Sequence, residues 1–222
     1  MKIGIIGAGW LGGTVGRIWV KAGHRVLLAS RHPDKQRRDA AALGPLASGG
    51  SFEDAASFGE VVLIAIPYRA LETLGAALQA PLAGKIVLDA CNPYTPDPAE
   101  PIRAIEAEGV AQASARLLPG VRLVRAFSAV DATAIEASAA GHHGQHLGVP
   151  LASDDLAALE VAEQLVRDAG CDPVTVGDLA SARRFQRGGP GFRAHLGASE
   201  LRRALNLPST PNAATAVERN ER

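Results

Sequence analysis

Apolar and polar positions alternate in blocks along the N-terminal part of the chain, and the blocks predict a strand, a helix and a second strand. The apolar run KIGIIG at residues 2–7 predicts the first strand. Apolar side chains then recur at helical spacing, which predicts a helix that contains Leu11, Val15, Ile18 and Trp19. The run HRVLLAS at residues 24–30 predicts the next strand, so the chain is predicted to begin with a βαβ unit.

Similar blocks continue to about residue 130. Their spacing predicts helices at residues 68–78 and 99–109, and strands at residues 59–67, 84–93 and 121–130. Apolar strands separated by helices are typical of a parallel sheet that is covered on both faces. The predicted fold class is therefore α/β, with a Rossmann-type, doubly wound and mainly parallel sheet.

A stretch rich in glycine and histidine at residues 136–146 predicts a connection into a smaller C-terminal α/β unit. Its predicted elements are a strand at 147–153, a helix at 154–170, a strand at 172–177 and a last helix at 198–207. Ser153 or Asp154 is the expected N-cap of the first of these helices, and Gly170 is expected to end it.

These patterns divide the chain into two predicted domains. We expect a dinucleotide-binding Rossmann domain at residues 1–138 and a smaller C-terminal region at 139–222. The composition of the last fifteen residues predicts a flexible tail from about residue 208.

The glycines at the first strand–helix junction carry the strongest functional signal. Gly7, Gly9 and Gly12 form the pattern G-x-G-x-x-G. In a dinucleotide-binding turn, the first glycine allows a tight turn, the second lets a pyrophosphate approach the main chain, and the third allows the helix to pack closely on the strand. The second strand follows where a βαβ unit requires it, so we predict a dinucleotide site rather than a glycine-rich turn without a ligand.

The end of the second predicted strand indicates which dinucleotide is bound. Ser30 and Arg31 stand where an NAD-binding fold ordinarily has an acidic residue, and Lys35 can add a positive charge. A hydroxyl and a guanidinium suit the 2'-phosphate of NADP, which a carboxylate would repel. We therefore predict NADP(H). The alternatives are a solvated turn with incidental charges, or Asp34 in place of the missing acid.

Three strand ends should meet the glycine turn at one edge of the sheet, because ligands of such sheets bind beyond the carboxyl ends of the strands. These are the segments AIPY at 65–68, CNPY at 91–94 and AFSAV at 126–130. The prolines in the first two segments could instead simply terminate strands. Convergence of all three on the glycine turn favours a cleft.

Composition and charge restrict the partners. The 222 residues contain 23 basic and 23 acidic side chains, so no overall positive field favours nucleic acid or anionic membranes. The apolar run VVLIAI at 61–66 is too short for a membrane span, and residues 1–7 lack the layout of a signal peptide, so a cytoplasmic protein is expected. Cys91 and Cys171 match no metal or redox spacing and are expected to be reduced.

Two other kinds of chemistry are disfavoured. His142, His143 and His146 lie within five residues, but this glycine-flanked loop supplies no Asp, Glu or Cys to complete a ligand set, so no metal site is predicted. The chain contains no G-x-S-x-G motif, which disfavours hydrolysis by a serine nucleophile.

Five segments resemble, in the same order, those of the deazaflavin (coenzyme F420)-dependent NADP oxidoreductases and related dinucleotide-binding reductases. They are residues 3–35, 63–71, 86–94, 121–130 and 149–185, so the resemblance covers roughly residues 1–185. It implies that NADP lies across the glycine turn and that Ser30, Arg31 and Lys35 hold its 2'-phosphate. The implied cofactor-binding residues are, in addition, Gly7, Gly9, Trp10, Leu11 and Gly12 in the turn, and Ala65, Ile66, Pro67, Tyr68, Asn92 and Pro93 beside the nicotinamide.

The chain departs from this family at three places. Trp10 stands where smaller or polar residues are common, and its indole is expected to project towards the nicotinamide, with packing in the core as the alternative. The strand RAFSAV differs from the lysine- and asparagine-containing version of many relatives. A glycine-rich stretch from Gly188 replaces an apolar terminal helix, which leaves deazaflavin or flavin as a possible co-substrate only.

The resulting functional hypothesis is an NADPH-dependent oxidoreductase that transfers a hydride between NADP(H) and a planar acceptor such as a deazaflavin or flavin. A stacked acceptor needs chiefly proximity and orientation, so no catalytic residue is assigned. The alternatives are a non-catalytic NADP(H) sensor, or a reductase of a carbonyl, imine, quinone or ferric complex. A carbonyl or imine would require a proton donor, for which Tyr68, Tyr94 and Asp131 are the candidates.

A homodimer is also predicted. Four leucines of the C-terminal segment exceed what a short terminal helix usually exposes, namely Leu196, Leu201, Leu205 and Leu207. The resemblance implies a dimer as well.

Overall fold

The strands come from three stretches of the chain, residues 1–93, 105–141 and 144–208, which are the residues that this computed structural model describes. They are β1 (Lys2–Ile6), β2 (Arg25–Ala29), β3 (Ala47–Gly50), β4 (Val61–Ile64), β5 (Ile86–Asp89), β6 (Arg122–Arg125), β7 (Leu147–Ala152) and β8 (Cys171–Gly177). They form one sheet in the order β3-β2-β1-β4-β5-β6-β7-β8. The first six strands are parallel, β7 is antiparallel to β6, and β8 is parallel to β7.

Helices connect these strands. They are α1 (Trp10–Lys21), α2 (Pro33–Ala41), α3 (Phe52–Phe58), α4 (Leu71–Ala77), α5 (Gln79–Leu82), α6 (Val110–Leu117), α7 (Ala132–Ala139), α8 (Leu156–Asp168) and α9 (Ala198–Ala204). Short 3-10 segments lie at Tyr68–Ala70 and Leu179–Phe185, and residues 105–108 are also helical.

Consecutive strand residues point to opposite faces of the sheet, so the apolar strands present side chains on both faces. Helices cover each face. Ile3 and Ile5 of β1 pack in one core with α1, α7 and α8, whereas Ile6 packs in the other core with α3, α4, α6 and α9. Both cores are buried. The predicted doubly wound, mainly parallel α/β fold is therefore confirmed.

The C-terminal strands extend the same sheet. A single residue pair, Arg125 and Ala152, joins β6 to β7, whereas β7 and β8 are paired along their length. The proposed domain boundary at residues 138/139 stays a prediction.

The structure differs from the predicted elements in local detail. The segment predicted as a strand at 121–130 ends at Arg125, because Phe127 adopts a positive φ of 58° that a strand cannot contain. The N-cap of α8 is Asp155, whose side chain accepts the Ala158 N–H. The expected caps Ser153 and Asp154 were wrong, since their side chains bind Leu123 O and Leu179 N instead.

One strand, β3, and five helices, α2, α3, α5, α6 and α7, escaped prediction. The residues of β3, ASGG, have no apolar pattern, and α3 is only seven residues long. A signal for α3 was present, because Ser51 and Asp54 form a capping box in which each side chain binds the other's backbone N–H. Part of the helix predicted at 99–109, Tyr94, two of the three loop histidines and nearly all of the predicted tail lie outside the described residues.

The four leucines on which the dimer prediction was based are largely buried in the core of the chain itself. Leu201 and Leu205 are 2% and 1% exposed, and Leu196 and Leu207 are partly buried against the same core. The premise that this segment exposes an apolar face was therefore wrong. The homodimer stays a prediction without that support.

No helix among the described residues combines the length and the apolar character that crossing a membrane requires. The cytoplasmic location stays a prediction.

Trp19 links three elements of one core. Its indole is fully buried, and Nε1 donates a hydrogen bond to the carbonyl oxygen of Leu165 in α8 at 2.8 Å. The ring also meets the edge of Phe127, with 5.8 Å between ring centroids. The indole therefore fixes α1 against the C-terminal part of the fold.

Replacing Trp19 with Phe should destabilise the protein by about 1–3 kcal/mol, because it leaves a small cavity and removes one of the two hydrogen bonds that the Leu165 carbonyl accepts, the other coming from the Ala169 N–H. Trp10→Phe is the matched control, since Trp10 is 69% exposed, and its effect should stay within about 0.5 kcal/mol. Urea unfolding followed by circular dichroism measures both. Equal stability of the two variants would contradict the role assigned to Trp19.

Candidate cofactor-binding site

The turn between β1 and α1 is held by the neighbouring strands. The N–H groups of Gly7 and Ala8 both donate to the carbonyl oxygen of Ala29 at the end of β2, at 3.0 and 2.9 Å. Gly7 has a φ of 102°, and a Cβ there would lie 2.3 Å from Ala65 O at the end of β4. Only glycine fits at this point, since the turn passes between two strand ends.

The two other glycines of the motif have different roles. A Cβ on Gly12 would lie 2.3 Å from Gly7 O, so this glycine allows α1 to pack on the turn. Within the part of the chain that the structure describes, a Cβ on Gly9 would meet nothing within 4 Å. The space at Gly9 is therefore not filled by protein, and it faces the cleft.

The start of α1 suits an anion. Gly9 is the N-cap, no side chain caps the helix, and its first turn contains no acidic residue. The first N–H groups of a helix lack intrahelical partners, and the helix dipole adds a partial positive charge there. Together with the space at Gly9, this turn fits a pyrophosphate.

A cleft of about 800 Å³ lies at the carboxyl ends of the strands around this turn. Seven of the predicted cofactor-binding residues line it: Gly7, Gly9, Ser30, Arg31, Ala65, Ile66 and Pro67. The lining also includes Arg69 and a face of α4 that contains Thr73, Leu74 and Ala77. The predicted residues that do not line it are Trp10, Leu11, Gly12, Lys35, Tyr68, Asn92 and Pro93.

One end of the cleft carries the Ser-Arg pair. The Ser30 hydroxyl accepts the N–H of His32 at 3.2 Å, which closes a tight turn after β2. Arg31 is exposed in the cleft, and its guanidinium has no ion-pair or hydrogen-bond partner among the described residues. A free guanidinium beside a serine hydroxyl is suited to a phosphate group.

Lys35 is placed differently from the prediction. It forms an ion pair with Asp39 one helical turn later, and it lines a second cavity of about 430 Å³ that shares Ser30 and His32 with the cleft. Asp34, the alternative acid, is 82% exposed and pairs with Arg37 at 2.6 Å. Arg69, which the sequence did not single out, supplies a further positive charge to the cleft itself.

The hydroxyl of Tyr68 is turned into the protein. The side chain is 6% exposed, and the hydroxyl accepts a hydrogen bond from Ser114 Oγ at 3.3 Å beside Val110 O. Burial raises the pKa of Tyr68 to about 12. The buried hydroxyl and the raised pKa disfavour Tyr68 as a proton donor, and that candidate role stays a prediction.

The remaining acid candidate forms an ion pair. Asp131 Oδ2 accepts Arg193 Nη2 at 2.7 Å and lies 3.3 Å from His195 Nε2. Both partners come from the segment after Gly188, far away in sequence, so their proximity to Asp131 had no local signal. Tyr94 lies outside the described residues.

Two further expectations concern Trp10 and the histidines. Trp10 is 69% exposed, so core packing was the wrong alternative, while its orientation towards the nicotinamide stays a prediction. Nδ1 of His146 lies 3.0 Å from Gly170 O. Within the described ranges, no group of three His, Cys, Asp or Glu side chains could hold a metal ion.

Comparison with known proteins agrees with this geometry. Residues 2–93 match the family model described as NADP oxidoreductase, coenzyme F420-dependent. The chain is 31% identical over 185 residues to the metalloreductase STEAP3 of Rattus norvegicus, a match that covers 83% of this chain and 36% of that protein. The chain thus spans about a third of the length of this curated relative.

Solved structures share the fold. A candidate F420-dependent NADP reductase from Arthrobacter sp. FB24 is 25% identical, with a TM-score of 0.70, and the match covers 82% of this chain and 87% of that one. A hypothetical protein from Sinorhizobium meliloti is 24% identical, with a TM-score of 0.76, over 89% and 95% of the two chains.

The family model that the chain matches and the reductase that shares its fold are both NADP-dependent oxidoreductases. Residues 2–93 are similar to the coenzyme F420-dependent NADP oxidoreductases, whose family model they match. The predicted resemblance and the prediction of an NADP-dependent oxidoreductase are confirmed at the level of the family.

Substitutions in the turn should separate its folding role from its binding role. Gly9→Ala fills the space meant for pyrophosphate, so NADPH affinity should fall at least about tenfold, while the lost glycine cap costs only about 1 kcal/mol of stability. Gly12→Ala forces a Cβ onto Gly7 O and should cost about 1–3 kcal/mol of stability. Calorimetric titration and urea unfolding measure the two effects.

Gly13→Ala is the control for this pair. Its Cβ would lie 3.4 Å from Ala8 O, an ordinary contact, and alanine favours the helix interior, so stability should not fall. If Gly9→Ala binds NADPH as tightly as Gly13→Ala, the turn does not hold the pyrophosphate.

Proposed function

We propose that this protein is an NADPH-dependent oxidoreductase that transfers a hydride between NADP(H) and a planar acceptor such as a deazaflavin or flavin. The observation that carries the proposal is the cleft itself. Among the described residues, its glycine turn leaves open space at Gly9, and the Arg31 guanidinium at its far end has no partner. One site fits the pyrophosphate and the other fits the 2'-phosphate that distinguishes NADPH from NADH.

The electrostatics of the cleft favour the phosphorylated cofactor. Arg31, His32 and Arg69 line it, and Glu53 is the acidic residue in its lining. Ser30 stands where a carboxylate would hold the ribose of NADH and repel a 2'-phosphate. Specificity thus rests on an attraction for phosphate and on the absence of a repulsive carboxylate.

NADPH supplies the hydride when it is bound, and the protein's part is binding and orientation. Ala65, Ile66 and Pro67 form an apolar wall that can exclude water between the nicotinamide and an acceptor. A planar acceptor stacked on the nicotinamide requires proximity and alignment rather than a strong acid, which agrees with the buried hydroxyl of Tyr68.

The relatives favour two kinds of acceptor. The family match supports a deazaflavin, and the metalloreductase match supports a metal complex, for which we take the ferric complex among the alternatives. A ferric ion accepts one electron, whereas a hydride carries two, so ferric reduction would need a flavin-like carrier between them. The planar acceptor is therefore common to both routes. We propose it as the immediate partner of NADPH.

A panel of acceptors tests this function. NADPH oxidation should be followed at 340 nm with oxidised deazaflavin, flavin, quinone, imine and ferric citrate, the last with and without added flavin. We expect NADPH oxidation with a deazaflavin or flavin as the acceptor. Ferric citrate should be reduced only when flavin is present. Tight NADPH binding without turnover on any acceptor would identify a non-catalytic NADP(H) sensor instead.

Arg31→Ala should reduce NADPH affinity roughly ten- to 150-fold, because it removes charge-assisted hydrogen bonds worth about 1.5–3 kcal/mol. NADH affinity should hardly change, since NADH has no 2'-phosphate. Lys35→Ala is the control for removal of a nearby charge that is already paired with Asp39, and its effect should be much smaller. Calorimetric titration at fixed moderate salt measures all three proteins. Equal loss of both cofactors in Arg31→Ala would contradict the assignment.

A further inference from the structure

A second cavity, of about 430 Å³, is lined by residues of α1, α2 and β2. It shares four residues with the cleft, namely Ala8, Gly9, Ser30 and His32, and its other lining residues lie outside the cleft. Its volume falls within the range of small-molecule sites, about 300–1,000 Å³. The cavity is therefore large enough for a ligand of its own.

Gln36 lines this cavity and carries a buried amide without a partner. The residue is 8% exposed, and its side-chain carboxamide makes no hydrogen bond to any residue that the structure describes. Buried polar groups are almost always hydrogen-bonded, because an unpaired one loses its water without replacement. Since Gln36 is part of the cavity wall, a ligand in the cavity can supply the missing partner.

Basic side chains surround the same cavity. Arg17, His32 and Lys35 line it, and Asp39 is the acidic residue in its lining. Lys35 pairs with Asp39, and Arg17 pairs with Glu136, but all four of these side chains are at least 46% exposed. Exposed ion pairs contribute little to stability, so either base can exchange its carboxylate for a ligand anion.

The guanidinium of Arg17 has a free edge at the cavity wall. Its Nη2 donates to Glu136 Oε1 at 2.9 Å and to Thr14 Oγ1 at 3.0 Å. Its Nη1 makes no hydrogen bond to a described residue, and it lies 3.6 Å from the point that a Cβ on Gly13 would occupy. Gly13 also lines the cavity, so Nη1 can donate to a ligand there without breaking the contacts of Nη2.

The lining favours one class of ligand. The donors of Arg17, Lys35 and Gln36 come from two helices, and a phosphate has enough oxygens to accept from all three, whereas a carboxylate has two. Leu28 and Leu43 are apolar parts of the same wall and suit a short carbon chain. A small phosphate monoester combines both features.

We propose that the second cavity binds a small phosphate monoester separate from the cofactor, with Arg17 and Gln36 as its principal binding residues. The 2'-phosphate of NADPH is assigned to Ser30 and Arg31, and Arg31 lines the cleft but not this cavity. The inference goes beyond the proposed function, because the ester can bind here whether or not NADP(H) occupies the cleft.

Glycerol phosphate is the probe, titrated into cofactor-free protein at constant ionic strength and followed by phosphorus NMR. We expect saturable binding to the wild-type protein and about tenfold weaker binding to Gln36→Met and to Arg17→Met. Gln36→Met should be at least as stable as wild type, since it removes an unpaired buried amide and keeps the length of the side chain. A merely structural role of Gln36 would instead lower stability.

Two controls accompany this titration. Arg37→Met removes a charge from α2, but Arg37 pairs with Asp34 at 2.6 Å and does not line the cavity, so affinity should stay within about twofold of wild type. Glycerate carries a carboxylate in place of the phosphate and should bind at least about tenfold more weakly than glycerol phosphate. Equal binding of the two probes would overturn the choice of a phosphate.

Titration with NADPH and NADH identifies the source of the phosphate. Gln36→Met and Arg17→Met should bind each cofactor within about twofold of wild type, because the cofactor lies in the cleft. Loss of NADPH affinity with unchanged NADH affinity would place the cofactor's own 2'-phosphate in the cavity and would overturn the separate ligand.

The remaining outcomes are distinguishable. Absence of saturable glycerol phosphate binding to the wild-type protein, or equal binding by wild type and Gln36→Met, would overturn the site. If the wild-type protein binds glycerol phosphate as expected but neither cofactor, this inference holds and the proposed function fails.

Discussion

The structure depends on how closely the β1–α1 turn approaches the ends of its neighbouring strands. Gly7 passes so near to Ala65 O that no side chain fits between them, and its N–H is anchored to Ala29 O of β2. This approach brings the carboxyl ends of three strands around one turn. The space at Gly9, the helix start and the Ser-Arg pair all follow from it, since each lies on an element that the turn fixes.

Charge is distributed differently at the two ends of this edge of the sheet. At β2, Arg31 is exposed and unpaired among the described residues, which suits a group that arrives from solvent. At β5 and β6, Arg125 is buried and fully engaged with Asp89 and Asn92. An exposed guanidinium can select a phosphate, whereas a buried one is better suited to hold other groups in place.

The sequence was most informative where local spacing determines structure. The G-x-G-x-x-G pattern and the following strand predicted the turn, and the structure gives each of its three glycines a separate physical reason. The same reasoning failed for Lys35, because residues 33–41 were not predicted as a helix, and only a helix brings Asp39 beside Lys35 one turn later. Short elements such as β3 carry no apolar period, so only the capping box at Ser51 indicated what followed.

Contacts between distant segments could not be predicted from one sequence. Arg69 was read only as part of a helix, although it lines the cleft, and Arg193 and His195 reach Asp131 from more than sixty residues away. The burial of Leu201 and Leu205 is also a tertiary effect, since their spacing fits an exposed apolar face equally well.

The central claim is that the cleft is built for NADP(H). The most direct measurement is calorimetric titration of the unmodified protein with NADPH and with NADH at the same moderate salt concentration. The Arg31 guanidinium, which no described residue pairs with, would meet the 2'-phosphate, so we expect NADPH to bind at least about tenfold more tightly than NADH, which corresponds to about 1.4 kcal/mol. Equal affinity for the two cofactors, or no binding of either, would contradict the account.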